Sequence, residues 1–138
     1  MNKVLKSIKH YYRVKKSDLR EKKKSKKRSS QWDETRDLFI SLNPICAACG
    51  SNEKLQVHHI LPFNHYPELE LELKNLITLC MGTNECHLNL GHCDNFRLYN
   101  PNIVIDAKLF NLSNNEQREL IKEHIKKEYA NNKKAANK

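Results

Sequence analysis

Apolar and polar positions change period several times along the chain. Over residues 30–42, Trp32, Arg36, Phe39 and Ile40 share one stripe at helical spacing, and Asn43-Pro44 stops the run. Ser30, with Asp33 three residues on, predicts a capping box with a shorter carboxylate. From residue 55 the period drops to two. Leu55, Val57 and His59 alternate with Gln56, His58 and Ile60, which reads as a strand ended by Pro62. Residues 76–79 give a second short strand. Between the strands, residues 63–74 predict a surface loop with leucines tucked beneath it, and the alternation ELELEL allows an edge strand instead. A helix is expected from residue 86 to about 98, tolerating Gly91 and stopped by Asn100-Pro101. Residues 103–110 predict a short helix. Ser113-Asn-Asn-Glu116 reads as the capping box of a last helix carrying Leu120, Ile121, His124 and Ile125, which frays into a polar tail.

The first 30 residues differ from all of this. Val4, Leu5, Ile8, Tyr11 and Tyr12 fall at helical spacing, but the lysine run that follows is too charged to pack. Residues 1–30 hold thirteen Lys or Arg against Asp18 and Glu21, a net +11, while the remaining twelve basic and fourteen acidic side chains net −2. The whole positive excess therefore sits in an N-terminal arm. Such an arm fits a polyanionic partner, with Lys22, Lys23, Lys24, Lys26, Lys27 and Arg28 as candidate nucleic-acid contacts; the competing reading is a solubilising tail.

With 138 residues there is room for one modest core, of the size that metals or disulfides usually supplement. Five cysteines without an apolar leader or membrane span favour a reducing compartment, and metal binding over disulfides. The Asn111-Leu112-Ser113 sequon is then an accident, and no internal repeat is present.

Cys46-x-x-Cys49-Gly50 and the later pair Cys80 and Cys86 have the arithmetic of a structural zinc cage. Such a cage has no use for the adjacent His58 and His59, for Asn75, or for His87 beside the last cysteine. Neighbours in a regular strand point to opposite faces, so His58 and His59 share one site only if the strand bends or bulges. His92 lies five positions after His87, about 500° around an α-helix and roughly 140° off its face. Metal ligation, a nucleic-acid contact and simple packing stay open for it. Cys93 reads as a small buried side chain, and His10, His65 and His124 fall outside the cluster.

Cys46-x-x-Cys49-Gly50, Val57-His58-His59-Ile60, Asn75-Leu-Ile-Thr-Leu-Cys80 and Cys86-His87 together resemble the HNH endonucleases, the His-Me finger nucleases. The likeness spans roughly residues 32–107, with looser features of a phage and bacterial subgroup. It implies an α+β fold: a small zinc-stabilised ββα-metal core with flanking helices and the basic arm. The expected division is residues 1–30 as a DNA-binding arm, 31–112 as the nuclease domain and 113–138 as a C-terminal helix and tail. The resemblance further implies a metal-dependent DNA endonuclease. His59 would be the general base, Asn75 would orient it, and His58 and His87 would hold a catalytic Mg²⁺ or Mn²⁺. Structural Zn²⁺ would fill the cysteines. Family members often carry a further histidine one turn on, where this chain has Gly91, and many have two residues between the last cysteines where this chain has five. The expected setting is the cytoplasm of a bacterial or phage-infected cell, with DNA as partner and no membrane. The alternative is a zinc-stabilised nucleic-acid-binding module without catalysis; DNA and RNA are poorly distinguished.

Overall fold

The computed structural model describes residues 27–136, with side chains to residue 130. Arm residues Lys22, Lys23, Lys24 and Lys26 lie outside the described residues. The element order is helix α1 (Trp32–Leu42), strands β1 (Leu55–His59) and β2 (Leu76–Cys80), a π-helical turn (His87–Gly91), helix α2 (Ile103–Asn111) and helix α3 (Asn115–Ala136). The α+β expectation, a two-stranded sheet with helices around it, is met.

β1 and β2 pair antiparallel with Leu55 opposite Cys80, His58 opposite Ile77 and His59 opposite Leu76. This register is unbroken to the last pair, so no bulge turns His58 or His59. Every side chain of β2 is buried, because β2 is covered by the knuckle on one side and the helical layer on the other. Ala47 donates to the Thr78 carbonyl (2.9 Å), and this bond docks the cysteine knuckle onto the strand. The core gathers Leu79, Leu90, Ile103, Phe110 and Ile125, all fully buried. Ile125 and Tyr129 of α3 join that core, and Asn102 donates to the Tyr129 hydroxyl (2.8 Å).

Four local expectations are corrected. α1 starts without the Ser30–Asp33 box: Gln31 stands at its N-cap with no side-chain cap, and the Ser29 hydroxyl accepts from the Gln31 N–H (3.2 Å). The last helix has its box one residue later, as Asn114 and Gln117 exchange backbone-to-side-chain bonds of 2.9 Å. That helix then continues to Ala136. Residues 63–74 form two short 3-10 turns, Pro67–Leu69 and Leu73–Asn75, and bury Phe63, Tyr66 and Glu70 while Leu73 stays exposed. Last, the helix expected from 86 to 98 is one π-helical turn of five residues. The backbone then turns out through Cys93 and Asp94 at φ 53° and 64°, left-handed values that end a helix.

Candidate metal centres and catalytic groove

The thiols of Cys46, Cys49, Cys80 and Cys86 all lie within 4.8 Å of one another. Gly50, at φ +77°, closes the first knuckle by donating to the Cys46 carbonyl (2.9 Å). The Cys49 N–H points at the Cys46 sulfur (3.5 Å). Cys49 and Cys80 sulfurs are 3.5 Å apart, near the spacing of about 3.8 Å expected across a tetrahedron with metal–sulfur bonds of about 2.3 Å. The longer connection from Cys80 to Cys86 closes the cage with Glu85 at φ 44°. Charge explains why these sulfurs suit a cation. The Cys86 thiol donates to Cys46 and holds it far below the usual thiol range, whereas that same hydrogen bond and then burial push Cys86 up. Burial also raises Cys49. Thiolates this close repel one another, and a divalent ion offsets that repulsion. The set fits a closed, four-thiolate structural site.

The second cluster is His58, His87 and His92, again with one nitrogen each within 4.8 Å. His58 Nδ1 and His87 Nε2 are 3.1 Å apart, and His87 Nε2 and His92 Nε2 are 3.2 Å apart. Each distance is close to the roughly 3.3 Å expected between imidazoles on one tetrahedral ion. The far side of the rings fixes which nitrogens face inward. His87 Nδ1 donates to Gln56 Oε1 (2.6 Å) and His92 Nδ1 donates to the Leu98 carbonyl (2.7 Å). Both Nε2 atoms then carry lone pairs aimed at each other, a repulsive arrangement that a shared cation relieves. His58 Nε2 is buried with no hydrogen-bond partner among the described residues. Burial lowers the basicity of all three, His87 to about 4, so each stays neutral and ligand-ready at pH 7.

His92 belongs to this cluster because the helix is not α. His92 donates to the carbonyl of His87 (3.1 Å), a bond spanning five residues. The wider turn takes up one extra residue, so His92 returns to the face of His87 where an α-helix would place residue 91. Gly91 is tucked inward instead, and a Cβ there would meet His58 Cε1 at 3.1 Å.

His59 takes the opposite face of β1. Its ring stacks on Trp32 of α1 (centroids 4.5 Å, 30° between planes). Its Nε2 donates to the Glu70 carbonyl (3.0 Å), because a carbonyl only accepts. Nδ1 therefore holds the lone pair, and it has no hydrogen-bond partner among the described residues. Burial keeps this imidazole less basic than usual. A groove of about 840 Å³ runs along β1 and is lined by all five of its residues, with Arg28, Trp32, Arg36, His87, His92, Phe96, Arg97 and Tyr99 around them. That continuous lining places the groove along the edge of β1 not paired with β2. His58 and His59 both line this groove, so they share it although the register carries no bulge.

Asn75 is buried but does not touch His59. Its Oδ1 accepts from Leu61 N–H (2.9 Å), and its Nδ2 donates to the carbonyls of Leu61 (3.0 Å) and Leu69 (3.3 Å). It staples the excursion between the strands to the sheet, one residue from the Glu70 carbonyl that orients His59. The direct contact expected between Asn75 and His59 is not made. Of the arm residues described, Lys27 is exposed, whereas Arg28 pairs with Glu70 (3.4 Å). Gln56, Trp32, Glu70 and the Leu98 carbonyl were not singled out from sequence. Gln56 was findable, since it lies two residues before His58 and shares its face; the others are set by long-range packing.

No curated protein and no solved structure gives a significant match. The stretch 46–92, which holds both ligand clusters and His59 and ends on His92, matches the family model described as HNH endonuclease, and this part of the chain belongs to that family.

Proposed function

We propose that this protein is a metal-dependent DNA endonuclease that hydrolyses phosphodiester bonds. The observation that carries the reading is His59: an imidazole locked by Glu70 with its Nδ1 lone pair free, in the same groove as three inward-facing imidazole nitrogens. A module that only binds nucleic acid has no use for that pair of features.

In this reading His58, His87 and His92 hold a divalent ion, which supplies charge stabilisation to the phosphate and the departing oxygen. His59 Nδ1 accepts a proton from water as its oxygen attacks phosphorus. The P–O3′ bond breaks, and the 3′ oxygen takes a proton from solvent. The resulting imidazolium keeps its Nε2–H on the Glu70 carbonyl, whose partial negative charge favours it. Arg28, Arg36 and Arg97 line the groove and supply positive charge for the flanking phosphates. Cys46, Cys49, Cys80 and Cys86 hold a structural Zn²⁺, and the fixed frame sets the distance between β1 and the π-helical turn.

The all-imidazole donor set changes the expected catalytic ion. Imidazole suits Zn²⁺, Ni²⁺ and related ions, whereas Mg²⁺ prefers oxygen. We therefore place Mg²⁺ last, with Mn²⁺ above it. No helix among the described residues is long and apolar enough to cross a membrane, and five unpaired thiols suit a cytoplasmic setting. The deciding experiment incubates purified protein with supercoiled plasmid and Mg²⁺, Mn²⁺, Co²⁺, Ni²⁺ or none. Nicked or linear circles with any ion support the enzyme. Binding without cleavage under all conditions leaves the non-catalytic module.

A further inference from the structure

Glu70 touches the groove through two different atoms. Its carbonyl accepts from His59 Nε2 (3.0 Å). Its carboxylate, in a residue only 4% exposed, accepts from the Ser29 N–H (3.1 Å) and pairs with the Arg28 guanidinium (3.4 Å). Arg28 also lies over the Trp32 ring (5.3 Å) and the Phe63 ring (4.4 Å), and Trp32 stacks on His59 (4.5 Å). The contacts close a ring: Arg28 to Glu70, Glu70 to His59, His59 to Trp32, and Trp32 back to Arg28.

We propose that Arg28 and Glu70 are positioning residues for His59, so that the root of the basic arm governs turnover and not only attachment to nucleic acid. This rests on reading His59 as the base. Among the described residues the buried carboxylate finds its charge partner in Arg28, and a buried charge whose partner is removed must leave, protonate or drag its neighbours. Glu70 directly follows the short turn Pro67–Leu69. Its carboxylate, held by Arg28 and the Ser29 N–H, thus tethers the short segment whose carbonyl faces His59, and losing that anchor frees the segment to move. The acceptor that fixes the His59 tautomer would then shift. Arg28 is also the last of thirteen basic residues in the first thirty. A polyanion bound by those residues is thereby brought to the bracket around the base.

The test uses the full chain, with Arg28→Ala, Glu70→Gln and the double variant. Trp32 is the chain's one tryptophan, so its emission and acrylamide quenching report the bracket without any turnover. Each single change is expected to raise quenching and to lower kcat on saturating plasmid about tenfold, with Ni²⁺ affinity within about twofold and, for Glu70→Gln, KM within about twofold as well. The double variant should be no worse than the worse single, because both break one ring. Arg28→Lys, which keeps charge but loses the planar fork, replaces Arg28→Ala if that variant does not fold, with a smaller kcat loss. Effects confined to KM, losses that multiply in the double variant, or unchanged quenching in both singles would each overturn the proposal. Wild-type protein that cuts no plasmid refutes the nuclease reading, and quenching alone then judges the bracket.

Discussion

Gly91→Ala tests the packing beneath the histidine cluster more sharply than removal of any ligand. Gly91 has no positive φ, so alanine is allowed by the backbone and the argument is purely steric. Its Cβ would sit 3.1 Å from His58 Cε1, 3.2 Å from His58 Nδ1 and 3.2 Å from Leu79 Cδ1. Ordinary contact needs a few tenths of an ångström more. Neither neighbour has room to yield, since His58 is 3% and Leu79 0% exposed. Overpacking of this kind costs about 1–3 kcal/mol. Alanine's better helix propensity returns about 0.5–1 kcal/mol, leaving a net loss of about 0–2.5 kcal/mol, with its middle near about 1. At roughly 4 °C per kcal/mol for a domain of this size, the melting temperature should fall about 5 °C, and by no more than about 10 °C. The displaced atom is His58 Nδ1 itself, the one facing His87, so affinity at the cluster should fall about 10–100-fold, as for other disturbed supports of a metal ligand. Thermal melts and calorimetric titration with Ni²⁺, after the cysteine cage is filled, give both numbers. A variant as stable as wild type with unchanged Ni²⁺ affinity would refute the reasoning.

Other expectations follow from single atoms. Thr78 Oγ1 is buried with no hydrogen-bond partner among the described residues, so Thr78→Val should stabilise by about 1 kcal/mol; a lower denaturant midpoint would show a partner for that hydroxyl. His59→Ala should keep the fold and lower plasmid cleavage by about two to four powers of ten, and full activity would remove His59 from the chemistry. Burial depresses His59 and the base works in its neutral form, so the acid limb of the rate profile should lie below the ordinary ~6.5. A limb at or above that value contradicts the assignment. His58, His59, His87 and His92 are all depressed by burial, His87 to about 4. The unfolded chain therefore binds the extra protons, and their stabilisation is complete above about 6.5 and drains away as pH falls. Protein with the cysteine cage filled and no metal on the histidine cluster should melt lower at pH 5 than at pH 7.5, and equal melts would contradict the shifts. Cys46→Ser should abolish the cooperative transition by opening the cage, and a sharp wild-type-like melt would show the fold stands without it.

Much of the site was written in local order. The two-residue gap of Cys46 and Cys49, the alternation around His58 and His59, and the return strand over residues 76–79 are short-range signals. Period and spacing carry them without knowledge of the fold. The helices at Trp32 and Ile103 were legible for the same reason. The capping boxes were misjudged because neighbouring Ser, Asn and Asp compete for one backbone N–H, and packing chooses among them. What only the tertiary structure decided is how the histidines meet. Rotation along an α-helix excludes His92 from the face of His87. The π-helical turn readmits it, because Gly91 packs against His58 and Leu79 while the Gly91 carbonyl accepts from Asn100 (2.9 Å). Strand alternation likewise separates His58 from His59, and the groove along the free edge of β1 reunites them. Asn75 looked like a partner of His59, yet its amide serves the backbone at Leu61 and Leu69, and Glu70 does the orienting. Glu70 meets Arg28 across forty-two residues of sequence. No local pattern encodes a contact at that range: periodicity records which face a residue takes, and the packing of one element on another decides what that face meets.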